Sequence, residues 1–405
     1  YINTLFNQLI ITPHEVSSKK EIAEKALTIA KARQLTELYF DASNMSQAEE
    51  LLDKLPVKNA EALATQCLIE VITGWHSNEK DNFKQAQSLC ERALMLDSQH
   101  PFVLSTNAFR LYRNGQYEDA TRAYKMILEQ FPSNIEALLG QAELSMRFYL
   151  EDPTQNKAAL DRAITRSQQA ILYEPNYWRS YQLLMNLFYL SKQSKKALEV
   201  TKKLIELAPN QLTLANGAIL SLCHAQTTEA QKYSEQMLAI NANSYIAHET
   251  LFFIHAYQNQ LKEALSAMQS AMQNFQQNQG GLYLQWGQLA DAFRWLGDKE
   301  NAIENYEKAL VEYEQDKIKQ QTTENDQIYT LYFQAAINQL KGIALSPALY
   351  LSLTNLDIDN MPSTNQLKAA ILLRWLEKQQ EAQALTDKLK KTCPIYSQAV
   401  DLKFN

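Results

Sequence analysis

The sequence predicts an all-α protein, a solenoid of antiparallel helix pairs stacked on one another. Three observations predict it. Glycine and proline are scarce, 9 and 10 in 405 residues. Both interrupt helices, so long helices joined by short turns are expected. An alanine followed seven residues later by a second small or apolar residue recurs along the chain, and a proline closes several of the resulting units. The length also exceeds what one hydrophobic core usually reaches, which favours an array over a single domain.

The leading alanines are Ala86, Ala120, Ala163, Ala197, Ala230, Ala264 and Ala302, with Ala93, Ile127, Ala170, Leu204, Met237, Ala271 and Ala309 as their partners. Steps between leading alanines are 34, 43, 34, 33, 34 and 38 residues. Pro132, Pro175 and Pro209 each lie twelve residues after a leading alanine. Proline cannot continue a helix and disfavours helical geometry in the residue before it, so it separates one pair from the next. Alanine opposite alanine lets two helices approach closely, while Tyr, Leu and Phe fill the space beside them.

From the N-terminus, residues 19–40 read as a long helix and Ser46–Leu55 as another, with Ala48 a worn leading alanine. Pro101–Pro132 is well formed: Ala108 is the small residue of its first helix and Gly115 makes the turn. Tyr117 starts the second helix, and Ala120, Tyr124, Ile127 and Leu128 form its inner stripe. In the next unit Glu151–Lys157 reads as a loop insertion. In the fifth, Gln226-Thr227-Thr228 stands where a glycine turn is expected, and Gln273–Gly281 reads as a polar loop. Tyr283–Tyr313 is the second well-formed unit, with Trp286, Gly287 and Ala290 on its first helix. A Gly297 turn and an Asp298 cap follow, then Ala302, Tyr306, Ala309 and Leu310 on one helical face. Glu314–Asp326 reads as a helix tail and loop, followed by helices over 327–341, 346–355, 364–378 and 380–391. The regularity suggests three parts: an N-terminal helical cap (1–57), the repeats (58–313) and degenerate C-terminal repeats that cap the array (314–405).

In these residues and at this period the chain resembles the tetratricopeptide repeat family, over roughly residues 60–313. The resemblance implies a right-handed superhelical solenoid, degenerate at both ends. It also implies a concave groove, lined by first helices, that takes a peptide or partner helix. Carried over by repeat position, the ligand-facing residues are Phe102, Phe109 and Tyr112, then Glu136 and Glu143 in the next unit. The Trp178 unit adds Arg179, Gln182, Asn186 and Tyr189, and later units add Glu249, Phe253, Asp291 and Arg294. Each of these side chains has an equal alternative, packing on neighbouring helices. A clamp for a C-terminal carboxylate, as in some members, needs Lys and Asn where this chain has Ser105, Phe109, Leu139, Glu143, Gln182 and Asn186. Only Asn186 fits. The stretch Leu284–Leu310 is also similar to repeats attached to bacterial signalling proteins, which implies a sensor or docking module of a larger regulatory protein.

Chemistry is sparse. The formal net charge is −6, and no basic face that would suit nucleic acid is visible. His248 and His255 lie seven apart on one helical face, with His224 before them, but no Cys or carboxylate completes a zinc set. The expectation is structural histidines, no metal and no cofactor. No nucleotide-binding loop, dinucleotide fingerprint or hydrolase motif occurs, and no catalytic residue is assigned. Cys67 and Cys90 fall on the two antiparallel helices of one repeat and could meet, but two small buried side chains are expected. No run of eighteen apolar residues is present, so no membrane insertion is expected of this segment. The chain begins at Tyr1, which reads as part of a longer protein, cytoplasmic or periplasmic. The expected function is a binding scaffold or sensor for a protein or peptide. An accessory enzyme domain and a self-assembling solenoid are the alternatives.

Overall fold

A computed structural model describes residues 13–39, 42–77, 80–153, 155–275 and 281–400. Contacts divide the chain into two compact units, Tyr1–Leu183 and Leu184–Asn405.

The first unit begins with helices α1 (Pro13–Glu37), α2 (Ala42–Asp53), α3 (Ala60–Ser77) and α4 (Lys80–Leu96). It continues with α5 (Pro101–Arg113), α6 (Tyr117–Gln130), α7 (Ile135–Glu151) and α8 (Lys157–Tyr173). Helix α9 (Trp178–Leu190) spans the division. The second unit then has α10 (Ser194–Leu207), α11 (Gln211–Cys223), α12 (Thr227–Ile240), α13 (Tyr245–Tyr257) and α14 (Leu261–Asn274). It ends with α15 (Leu282–Trp295), α16 (Lys299–Ile318), α17 (Gln327–Leu340), α18 (Pro347–Thr354), α19 (Ser363–Trp375), α20 (Gln379–Thr392) and α21 (Pro394–Val400). Odd-numbered helices are the first of each pair and even-numbered ones the second, and α21 is a last first helix without a mate among the described residues.

The alanine register builds these pairs. All seven leading alanines are fully buried, and so are Ala48 in α2 and Ala382 in α20, so the same seam continues toward both ends of the chain. Tyr124, Tyr306 and Phe252 are among the largest side chains with no solvent contact. The fit between repeats is close. A Cβ placed on Gly140 of α7 would lie 2.1 Å from the Tyr124 ring of α6, so no larger residue fits there.

Helix starts follow capping chemistry. The Asn134, Ser244 and Asp298 side chains accept from the backbone of Ala137, Ala247 and Asn301. Asn210 and Thr213 form a reciprocal capping box. Pro101 and Pro347 occupy first-turn positions, where a missing N–H costs nothing.

The turns inside the pairs depend on position more than on glycine. Gly115 and Gly297 adopt left-handed backbone, and each lies five residues before a leading alanine. Lys192, Ala225, Asn259 and Glu377 hold the equivalent places, with φ of 59°, 58°, 58° and 61°. In each, the following N–H closes back on a carbonyl five residues earlier, as from Gln226 to Ser221 at 2.8 Å. The fifth unit therefore makes its turn at Ala225, just before the Gln226-Thr227-Thr228 stretch.

Two sequence expectations change. The 43-residue step does not produce a long loop: α7 and α8 each run 17 residues, against 13 and 14 in α5 and α6, so the helices absorb most of the insertion. Cys67 and Cys90 are not separate buried thiols. They form a disulfide between α3 and α4, with Cα atoms 5.5 Å apart. Cys223 and Cys393 form a second, 170 residues apart in sequence. The Gln273–Gly281 loop lies partly outside the described residues.

Candidate functional site

The first-helix positions behave differently in the two units. In the first, α1, α3, α5, α7 and α9 surround a central space of about 30 Å³, enough for one or two waters, and clefts of about 290 and 230 Å³ lie beside it, sharing Arg33, Glu37 and Phe102 with it. The chain's own side chains fill the centre. The Arg33 guanidinium of α1 lies 4.0 Å from the Phe102 ring centroid, and Arg113 lies 4.0 Å from that of Trp75. Arg113 also pairs with Glu143 at 3.3 Å. Arg179 pairs with Glu136 at 3.0 Å, and the Tyr177 hydroxyl donates to the same carboxylate in a short hydrogen bond. Burial, with the neighbouring Glu136, raises the Glu37 carboxyl above its ordinary range. Tyr112 packs edge-on against Tyr117, and burial pushes its hydroxyl up to about 12. Phe102, Phe109, Glu136 and Arg179 thus meet in one place, with Tyr112 and Glu143 beside them, and α1 adds Arg33 and Glu37.

In the second unit the same face stays open. A cavity of about 320 Å³ is lined by Ile219 and Cys223 of α11, Glu249 and Phe253 of α13, and Gln288, Asp291 and Trp295 of α15. Tyr329 and Phe333 of α17, Lys368 and Ile371 of α19, and Tyr396 of α21 complete the wall. That volume is at the lower end of ordinary ligand pockets, roughly 300–1,000 Å³. Every lining residue belongs to a first helix and none to a second. A Cβ on Gly287 would lie 2.3 Å from the Phe333 ring, so glycine is what lets α17 seat this wall. Helix α21 returns to touch α11, and the Cys223–Cys393 disulfide fastens the return.

The ionic centre is Asp291. One carboxylate oxygen accepts from the Tyr332 hydroxyl at 2.8 Å and from the Tyr306 hydroxyl, and the other accepts from Lys368 Nζ at 2.8 Å. Lys368 Nζ also lies 3.9 Å from the Tyr332 ring centroid. Burial works against the Lys368 charge, but Asp291 and the tyrosines more than restore it, and the ammonium is held above its ordinary value. Arg294 lies 4.5 Å from the Trp375 ring centroid and donates to the Tyr332 hydroxyl at 3.5 Å.

Glu249 is placed differently. Its partners are amides, Gln285 at 3.4 Å and Gln288. Burial raises its carboxyl above the usual range, and the two amide hydrogen bonds pull it back only in part.

Of the residues expected from repeat position, Glu249, Phe253 and Asp291 line this cavity, and Arg294 supports it from behind. Gln182 is half-buried and lines neither space, and Asn186 and Tyr189 are exposed outside the cavity. Gln288, Trp295, Tyr329, Lys368 and Tyr396 are not among the expected residues. A signal for some of them exists. Phe253, Asp291 and Ile371 each lie eleven residues before a leading alanine, and Thr250, Gln288 and Lys368 fourteen before. Extending the register to Ala382 and its partner Leu389 reaches Lys368. His248 and His255 each have a local hydrogen-bond partner, the Ala242 carbonyl at 3.2 Å and the Gln260 side chain at 2.7 Å.

Helix pairs at a 34-residue period, a buried alanine seam and a face made wholly of first helices decide the architecture. The fold is that of the tetratricopeptide repeat. Solved structures with similar tetratricopeptide repeats include a thermophilic protein of Thermus thermophilus, 19% identical over 49% of this chain and 97% of that one, with a TM-score of 0.38. YrrB, described as having an unusual peptide-binding site, is 17% identical over 47% and 93%, with a TM-score of 0.38. A tetratricopeptide repeat protein of Parabacteroides merdae is 14% identical over 68% and 99%, with a TM-score of 0.42. Likeness at this level says nothing of ligands, and the assignment rests on this chain's own register. No family model matches the sequence, and no curated protein matches it. Among the described residues no helix is long and apolar enough to cross a membrane.

Proposed function

We propose that the chain is a protein-binding tetratricopeptide module whose working site is the cavity of the second unit. The observation that supports this is the contrast between the two first-helix faces. The centre of one is filled by its own arginines and aromatics, and the clefts beside it carry only the aromatic rings of Phe102 and Tyr177, whereas the other holds about 320 Å³ lined by Phe253, Trp295, Tyr329, Phe333 and Tyr396. Aromatic side chains with few rotors are effective anchors for a partner segment. The ligand is a short stretch of a partner protein that presents apolar side chains to these rings. The wider setting, a sensor or docking part of a bacterial regulatory protein, is supported by the wording of Leu284–Leu310 alone.

The test is selection of peptides from a random library on the full chain. Ile219 lies at the cavity edge and is 48% exposed, so Ile219→Trp should fold and block the opening. Selected peptides should lose at least about tenfold in affinity on Ile219→Trp and on Phe253→Ala, the loss of about 1.4 kcal/mol expected when one anchor contact goes. Peptides indifferent to both changes would place the interface elsewhere.

A further inference from the structure

We infer that the cavity of the second unit takes a basic side chain of its partner, a lysine or arginine, at Glu249, with apolar residues on either side. This rests on the binding reading above and adds the chemistry of the ligand.

Apart from tyrosines, the ionisable side chains lining the cavity are Glu249, Asp291 and Lys368. Asp291 and Lys368 neutralise each other at 2.8 Å. The lining is therefore left with one formal negative charge, on Glu249, whose contacts are the Gln285 and Gln288 amides. A half-buried carboxylate held only by amides is less well stabilised than one with a cation beside it, and an entering cation supplies that partner.

The cavity already contains a worked example of how it holds such a group. Lys368 is gripped by a carboxylate, Asp291, and by the face of a tyrosine ring, Tyr332, at 3.9 Å. Glu249 is a second carboxylate in the same wall. Phe253 lies one helical turn after it, Tyr329 lines the same cavity, and among the described residues no lysine is one of its partners. An incoming ammonium or guanidinium would find the same combination of carboxylate and ring. An acidic or phosphorylated segment would meet Glu249 with like charge and would find the Lys368 ammonium already engaged.

The same library, selected on the full chain and counter-selected on Ile219→Trp, separates the possibilities. Peptides that depend on the open cavity should be enriched at least about tenfold in Lys or Arg at one position flanked by apolar residues. Replacing that residue by norleucine in a selected peptide should weaken it about tenfold or more. On Glu249→Gln the lysine and norleucine peptides should bind within about twofold of each other, with the melting temperature of the variant no lower than that of the parent. Cavity-dependent peptides without a basic preference, or a preference that survives Glu249→Gln, would overturn the inference and leave the binding reading standing. A library that yields no cavity-dependent peptide would overturn both.

Discussion

Glu249, in the wall of the proposed site, works against stability where it stands. Its carboxyl is raised, first by burial, so the folded protein holds that proton more tightly than the unfolded chain does. The sign follows from linkage. The stability cost is fully present above the folded value and disappears as pH falls toward the unfolded value. Glu249→Gln should therefore melt higher than the parent at neutral pH, by at most roughly 1 kcal/mol for relief of a half-buried carboxylate held only by neutral amides. The gap should shrink on acidification toward the ordinary carboxylate range. Thermal melts of both chains between neutral and mildly acid pH check this, and a constant gap would show that desolvation of the carboxylate is not the cause. Asp291 is the contrasting case. It is fully buried, where Glu249 is only half-buried, but it is engaged by Lys368, Tyr332 and Tyr306. The sequence could not separate the two, because the distinction depends on Lys368, which is 77 residues from Asp291.

At the scale of the element, the recurrent turn shows what a sequence pattern conveys and what it hides. Gly115 and Gly297 were legible because glycine adopts left-handed backbone freely. Lys192, Ala225 and Glu377 were not, since those residue types give no local sign of positive φ. Only their place, five residues before a leading alanine, marks them. Left-handed geometry costs a residue with a Cβ about 1–2 kcal/mol, and glycine returns about 0.4–1 kcal/mol of that through the freer unfolded chain. The folded-state term is larger, so Ala225→Gly should stabilise the second unit by roughly 0.5 kcal/mol. Chemical denaturation should show the midpoint moving up with an unchanged slope, and a lower midpoint would mean that the Ala225 methyl group makes a contact worth more than the strain. Helix boundaries were legible for the same positional reason. The expected helices over 327–341, 346–355, 364–378 and 380–391 are found at Gln327–Leu340, Pro347–Thr354, Ser363–Trp375 and Gln379–Thr392.

For the whole molecule, the repeat identity was readable because a solenoid writes its core locally, one seam per 34 residues. The cavity was only half readable. Glu249, Phe253 and Asp291 fall in regular repeats, whereas Lys368 and Tyr396 come from α19 and α21, where the alanine pattern is interrupted by the short α18. The cysteine pairs were the least legible. Cys67 and Cys90 sit within one repeat, but Cys223 and Cys393 meet only because α21 returns to α11.

That second disulfide has a mechanical consequence. Pulled from its two ends, the oxidised chain cannot release the residues between Cys223 and Cys393, which are 170 apart in sequence. At about 3.5 Å per extended residue, roughly 600 Å of contour length is withheld. Single-molecule stretching should therefore show the reduced chain extending about 600 Å further than the oxidised one, after allowance for the much smaller Cys67–Cys90 loop, 23 apart. Equal extensions would mean that the bond is not formed. While it holds, tension on the chain passes through α11 and α21 but bypasses α13, α15, α17 and α19, and runs through one covalent link at the cavity rim.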